Sequence, residues 1–344
     1  MRTAARTVRA VLAATPLLAA SACSLNHVQN ALEPAGPQSA HIARLWWLAL
    51  GIAVVVYALT MGALLVATTR RGRPPAVPNV EPEPAAERRG RRWVAAAVGV
   101  TVAVLFAFLF ADLVTSRALA AVERPREMLT VRVTGMQWWW RVEYRDTVSA
   151  RTVTTANEIH VPVGRPVLLE LESGDVIHSL WIPTLHGKRD LVPGQRNRLY
   201  VQADRPGVYR GECAEFCGHQ HAKMALVVVA EPEDRFRAWY AAQHAEAGPP
   251  ADSLQAAGRR VFESRACAMC HSIRGTPAAG RVAPDLTHLA SRRTLAAGTL
   301  PNTRGHLAGW IIDPQSLKPG TRMPSNEMRP DELRALLAYL ESLR

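Results

Sequence analysis

Residues Gly211 to Met224 read G-E-C-A-E-F-C-G-H-Q-H-A-K-M, and two thiols, an imidazole and a thioether fall within the twelve residues from Cys213 to Met224. Soft sulfur donors combined with imidazole select copper or zinc over hard cations. The Cys-x3-Cys-x3-His spacing of Cys213, Cys217 and His221, completed by one distant His, suits a structural zinc site equally well. Met224 shifts the balance, because zinc makes little use of a thioether, whereas electron-transfer copper sites employ a Met close behind a ligating His. The remaining ligand is then expected to be a His upstream.

Around this stretch, from about Leu129, the sequence alternates apolar and polar residues in short runs: T-V-R-V-T, W-R-V-E-Y, N-E-I-H-V-P-V, V-L-L-E-L-E, R-L-Y-V-Q-A, G-V-Y-R and A-L-V-V-V-A. Short strands separated by Gly and Pro predict a β-sandwich. The metal stretch joins the last two strands, with the upstream His expected on an adjacent loop at the same end, since loops at one end of a rigid sandwich can bring together ligands that are distant in sequence.

Downstream, Ala241 to Ser253 (A-A-Q-H-A-E-A-G-P-P-A-D-S) has linker composition, and helical periodicity restarts at Leu254, Ala257, Val261 and Phe262. It leads into Cys267-Ala268-Met269-Cys270-His271. C-x-x-C-H attaches haem covalently through its two thiols and supplies His271 as an iron ligand; thiol redox chemistry is the plainer alternative. Met323, in the proline-flanked G-T-R-M-P about fifty residues on, has the context of a distal ligand, which Met328 lacks. Leu333, Leu336, Leu337, Leu340 and Leu343 then form one face of a closing helix that starts at Pro330-Asp331-Glu332.

The copper stretch resembles the dinuclear copper A site of cytochrome c oxidase subunit II, and the last domain is similar to class I cytochromes c. The resemblance implies an all-β cupredoxin sandwich over 125–235, a linker over 241–253 and an all-α cytochrome domain over 254–344. It also implies that Cys213 and Cys217 bridge two coppers, with His221, Met224, the Glu215 carbonyl and His178, in G-D-V-I-H-S-L-W-I-P, completing the shell. On the same grounds Trp138, first of Trp138-Trp139-Trp140, passes electrons; core packing and an interfacial belt explain that triplet as well. The Glu215 side chain would bind magnesium against subunit I, Asp175 and Asp190 would serve ion pairing or docking, and Pro284 in A-P-D-L would orient His271. His160, His186, His219, His288 and His306 are read as ordinary or outer residues.

The N-terminal part predicts a membrane protein. Arg2, Arg6 and Arg9 precede an apolar run from Ala10 to Ala22, the pattern of an export signal over 1–22. Ala20-Ser21-Ala22-Cys23 resembles a bacterial lipobox, with Cys23 as the acylated residue and plain cleavage as the alternative. After an outer segment over 23–44, Leu45 to Thr69 runs 25 residues without a charge and Trp93 to Ala111 runs 19. Both reach the roughly 20 residues that a spanning helix needs. Seven arginines lie between them in a loop over 70–92, so a two-helix hairpin over 45–116 would have its loop in the cytoplasm and both ends outside. Much of the net charge of +12 is therefore topological signal, and no nucleic-acid partner is expected.

Taken as a whole, the resemblance implies a bacterial oxidase subunit II with haem c attached, working with subunits I and III and an upstream cytochrome c or cytochrome bc complex. Electrons would run from haem c through copper A to subunit I, where oxygen is reduced. Neither centre keeps an open position for substrate. A copper A subunit of a nitric oxide reductase uses nearly the same parts. A quinol oxidase subunit would lack the copper ligands, and covalent haem has no purpose in a copper-delivery protein.

Overall fold

The computed structural model describes residues 29–69, 84–120, 128–145 and 152–344. The expected export signal, the lipid attachment at Cys23 and loop residues 70–83 lie outside these residues.

Among the described residues two long helices come first, α1 (Pro37–Thr69) and α2 (Pro84–Ala120), which contact one another and are long and apolar enough to cross a membrane. Their apolar windows have mean hydropathies of 2.4 and 2.6, and none of either window is buried in the protein. Helix α2 begins at Pro84, so Arg88, Arg89, Arg91 and Arg92 lie on its first turns and not in a loop. Proline suits a first helical position, since its missing N–H has no partner there in any case.

Ten strands follow among the described residues: β1 (Thr130–Met136), β2 (Trp139–Tyr144), β3 (Val153–Ala156), β4 (Glu158–Pro162), β5 (Val167–Ser173), β6 (His178–Trp181), β7 (Arg189–Leu191), β8 (Asn197–Val201), β9 (Gly207–Cys213) and β10 (Ala225–Glu231). They form two five-stranded sheets, ordered β3-β2-β1-β5-β8 and β4-β10-β9-β6-β7. Alternation sets the register: Val131 and Val133 of β1 point into the core opposite Tyr144 and Val142 of β2, and all four are fully buried. The core between the sheets includes Trp140, Ile159, Leu169, Leu180 and Leu226. The segment before α1 is bound to this sandwich, Ala35 N–H donating to Thr184 O at 2.7 Å and Asp204 N–H to Ala35 O at 2.8 Å.

Helix α3 (Glu233–Ala242) leads away from β10. The cytochrome-like part holds α4 (Ser253–Ser264), α5 (Cys267–Cys270), the two-residue strands β11 (Thr294–Leu295) and β12 (Leu300–Pro301), α6 (Arg304–Ile312), α7 (Pro314–Leu317) and α8 (Pro330–Leu340). Asp252 caps α4 by accepting from Gln255 N–H at 2.8 Å. Helices α4 and α8 cross at Gly258, where a Cβ would lie 2.0 Å from the Ala335 carbonyl oxygen, so no larger residue allows that approach. Residues 241–253 are less free than their composition implies. Arg274 donates to the carbonyls of Gln243 and Ala245, and Ala247 N–H donates to Arg274 O at 3.0 Å.

Candidate metal and haem centres

Strand β9 ends at Cys213 and β10 starts at Ala225, so the metal stretch is the turn between two paired strands, held by Cys213 N–H donating to Met224 O at 2.9 Å. A short 3-10 turn, His221–Lys223, folds the second half back. The sulfurs of Cys213 and Cys217 come to 3.8 Å. His178 Nδ1 lies 3.9 Å from the Cys213 sulfur and His221 Nδ1 lies 3.6 Å from that of Cys217. Met224 Sδ is 3.8 Å from Cys217 Sγ, and the Glu215 carbonyl oxygen is 3.2 Å from Cys213 Sγ. His178 was expected on a loop; it is the first residue of β6, whose hydrogen bonds to β9 fix it more firmly than a loop would.

The electrostatics suit a cation. The Cys213 thiol is lowered to about 3, first by its hydrogen bond with Cys217, while the same contact and burial push the Cys217 thiol up. Two thiols this close share a proton, and a metal removes the conflict by holding both as thiolates. The ring of His178 is fixed from behind. Its Nε2 lies 2.8 Å from Asp175 Oδ1, which leaves Nδ1 facing the sulfurs, while Asp175 Oδ2 accepts from Gln137 N–H at 2.7 Å. Exposure differs sharply around the site, with His178 fully buried and Phe216 74% exposed.

A second centre surrounds a cavity lined by Cys267, Cys270, His271, Pro284 and Met323 among mostly apolar side chains. His271 Nδ1 lies 2.7 Å from the Pro284 carbonyl, so Nε2 is left for a ligand. Burial keeps His271 below the usual imidazole range, in the neutral form that iron requires. Met323 faces the cavity, whereas Met328 packs against the domain core. Arg292, also on the cavity wall, has a buried Nε with no hydrogen-bond partner among the described residues, an unmet donor that a ligand bearing carboxylates would satisfy. Trp310 is part of the lining too.

Comparison with known proteins matches the two redox domains to two families. The family described as cytochrome c oxidase subunit II, periplasmic domain, matches residues 147–231, and the cytochrome c family matches 255–344. Cytochrome c oxidase subunit 2 of Bacillus sp. (strain PS3) is 32% identical over 253 residues, which cover 70% of this chain and 68% of that one. The chain belongs to the cytochrome c oxidase subunit II family. The subunit of Alkalihalophilus pseudofirmus is 41% identical over 215 residues, 62% of this chain and 61% of that relative, slightly less than two thirds of its length. The solved periplasmic domain of subunit II from Bradyrhizobium japonicum is 28% identical and covers 35% of this chain and 95% of that structure, with a TM-score of 0.33. A subunit II domain implies copper and a cytochrome c domain implies haem.

In this subunit II chain the two centres face one another. Trp138 and Trp139, from the sandwich, form part of the haem cavity wall. Trp138 also donates its indole N–H to the Cys217 carbonyl at 3.1 Å, beside Gln137 Nε2 at 2.9 Å from the same oxygen. The loop that carries Met323 rests on the copper loop, with Lys223 donating to Leu317 O, Gln220 to Pro319 O, and Gly320 packed against His219. Elsewhere Ala225 N–H donates to Ala297 O at 2.9 Å, and Glu158 accepts from Arg293 N–H at 3.0 Å.

Among the histidines set aside, His160 is buried between Glu158 (2.9 Å) and Glu231 (3.2 Å), with Trp239 stacked on its ring at 3.9 Å. His186 is lowered to about 4 by burial, His288 contacts Arg274, and His306 contacts the Thr303 cap of α6. Asp190 is exposed and lies on β7 opposite Ser179, the residue after His178. Sequence reasoning missed Lys318, which is 2% exposed and lowered to about 7 by burial.

Proposed function

We propose that this chain is the electron-entry subunit of a bacterial cytochrome c oxidase, relaying electrons from haem c through copper A to subunit I. Haem and copper supply the one-electron chemistry when bound; the chain supplies ligands, insulation and a short path. Cys213, Cys217, His178, His221, Met224 and the Glu215 carbonyl are the copper ligands. Cys267 and Cys270 would anchor the haem, and His271, oriented by the Pro284 carbonyl, and Met323 would hold its iron. Trp138 is the residue through which electrons enter the copper site.

The observation that carries this reading is the position of Trp138, at once part of the haem cavity wall and hydrogen-bonded to the carbonyl of Cys217. A copper storage or delivery protein has no use for a second redox cavity placed against its metal loop. The exposed Glu215 carboxylate is where a magnesium ion shared with subunit I would sit. The two apolar helices would cross the bacterial plasma membrane with both redox domains on the outer face, beside subunit III and near an upstream cytochrome c or cytochrome bc complex. Oxygen, and not nitric oxide, is favoured as the final acceptor by the names of the relatives.

The test is to flash-reduce the haem in the purified oxidase complex and follow the copper absorption at several protein concentrations. A docked domain gives a first-order rate constant that does not change with concentration. A rate that scales with total protein would refute the intramolecular route.

A further inference from the structure

Lysine is among the side chains least often buried without an ionic partner. Lys318 is nevertheless 2% exposed, and among the described residues it forms no ion pair. Its Nζ donates to two main-chain oxygens, Trp138 O at 2.8 Å and Ala296 O at 3.2 Å. Lys318 belongs to the cytochrome part, five positions before Met323 and just after α7, whereas Trp138 belongs to the sandwich. The amine is therefore buried at the junction of the two domains, on the wall of the haem cavity.

The bonds on either side of Trp138 complete the picture. Its carbonyl is held from the haem side by Lys318, and its indole N–H is held on the copper side by the Cys217 carbonyl. Removing Lys318 would leave that carbonyl without a donor at a closed interface, and the residue between the centres would lose its fixed position. The neighbouring cross-domain bonds of Lys223 and Arg322 come from exposed side chains, which water can replace. Lys318 has no such substitute.

We propose that Lys318 is a positioning residue for electron transfer between the two centres, fixing Trp138 between the haem cavity and the copper loop. This rests on the route proposed above. Electron hand-over depends steeply on donor–acceptor geometry, so a residue that touches neither metal can limit the rate by setting how often the junction is closed.

The experiment compares Lys318→Met, which keeps the volume and loses the donors, with Lys318→Gln, which keeps an N–H donor without charge. Both are made in the full chain and purified in the oxidase complex. In Lys318→Met the first-order haem-to-copper rate constant should fall about tenfold, the population effect of one buried hydrogen bond. The copper and haem spectra, and bimolecular reduction of the haem by an external mediator, should stay unchanged. Lys318→Gln should recover much of the rate. Deuterium uptake over Gln137–Trp140 and Ala296–Gly298, which needs no electron transfer, should rise in the Met variant and return towards wild type in the Gln variant. An unchanged rate in Lys318→Met, or a slower one accompanied by loss of the copper absorption, would overturn the positioning role. If the wild-type chain shows no first-order phase before any substitution, the route itself fails, and that result is separate from either outcome.

Discussion

Gly135→Ala tests how tightly the sandwich holds its copper-facing histidine. Gly135 lies in β1, and a Cβ built there would be 2.8 Å from His178 Cδ2 and 2.9 Å from Cγ, against an ordinary contact of at least 3.4 Å. The ring must retreat by about 0.6 Å, the difference between those two distances. It is fully buried, with Trp140 6.1 Å away between ring centres and Asp175 2.8 Å behind Nε2, so it has nowhere to retreat without breaking a contact. Metal–ligand distances tolerate roughly 0.2 Å, so the displacement is about three times the allowance. Two effects compete in stability: the added methyl restricts the unfolded chain, worth about 0.4–1 kcal/mol, and overpacking costs about 1–3 kcal/mol. Overpacking wins, and the damage falls on His178. The expected result is a chain with normal haem content, less than two coppers and a weakened copper A absorption. Gly174→Ala is the control, since its Cβ would meet Met136 at an ordinary 3.5 Å. Full copper and an unaltered spectrum in Gly135→Ala would refute the argument that the ring is immobile.

Three further outcomes are expected. Cys217→Ser should abolish the mixed-valence copper absorption while the haem spectrum survives, and Met224→Leu should shift the copper potential with less loss of metal, because a weak axial ligand tunes more than it holds. Met323→Ala should keep the haem covalently attached, lower its potential and let carbon monoxide bind; a ferrous spectrum indifferent to carbon monoxide would move the ligand to another residue. The third concerns His160: burial alone would depress it, but hydrogen bonds to Glu158 and Glu231 outweigh burial and raise it above the ordinary 6.5. Its contribution to stability is therefore complete below 6.5 and is lost as pH rises through the folded value. Melting temperatures from about pH 6 to about pH 9 should accordingly fall more steeply in wild type than in His160→Gln; equal slopes would remove His160 from the account.

What was legible in the sequence was chemistry written at short range. Cys213 to Met224 and Cys267 to His271 are continuous stretches, so their donors are brought together by one turn each, and each of the seven alternating runs lies on a strand and overruns it by no more than two residues. Strands β6 and β7 are four and three residues long, too short for any alternation to declare itself, and so His178 was expected on a loop. The role of Glu158 was hidden because its partners are His160 two residues away and Arg293 135 residues away. Lys318 was hidden for a related reason, since a lone lysine reads as a solvated charge until another domain covers it. The linker composition suggested a coil, and the ordering came from Arg274, whose reach no local pattern encodes.

The strap that precedes α1 has a mechanical consequence. Ser39 Oγ donates to Thr184 O at 2.7 Å, and at Gly36 a Cβ would lie only 2.1 Å from Gln202 O, so the first turn of a 33-residue helix is clamped to the sandwich. Helix and sandwich then turn as one body, like a key and its shaft. With α1 crossing the membrane, one residue inserted between Ala43 and the apolar run would lift the whole redox head by about 1.5 Å and swing it by about 100° around the helix axis. The direction in which the copper loop faces is thus set by residue count in a stretch that contains no ligand at all.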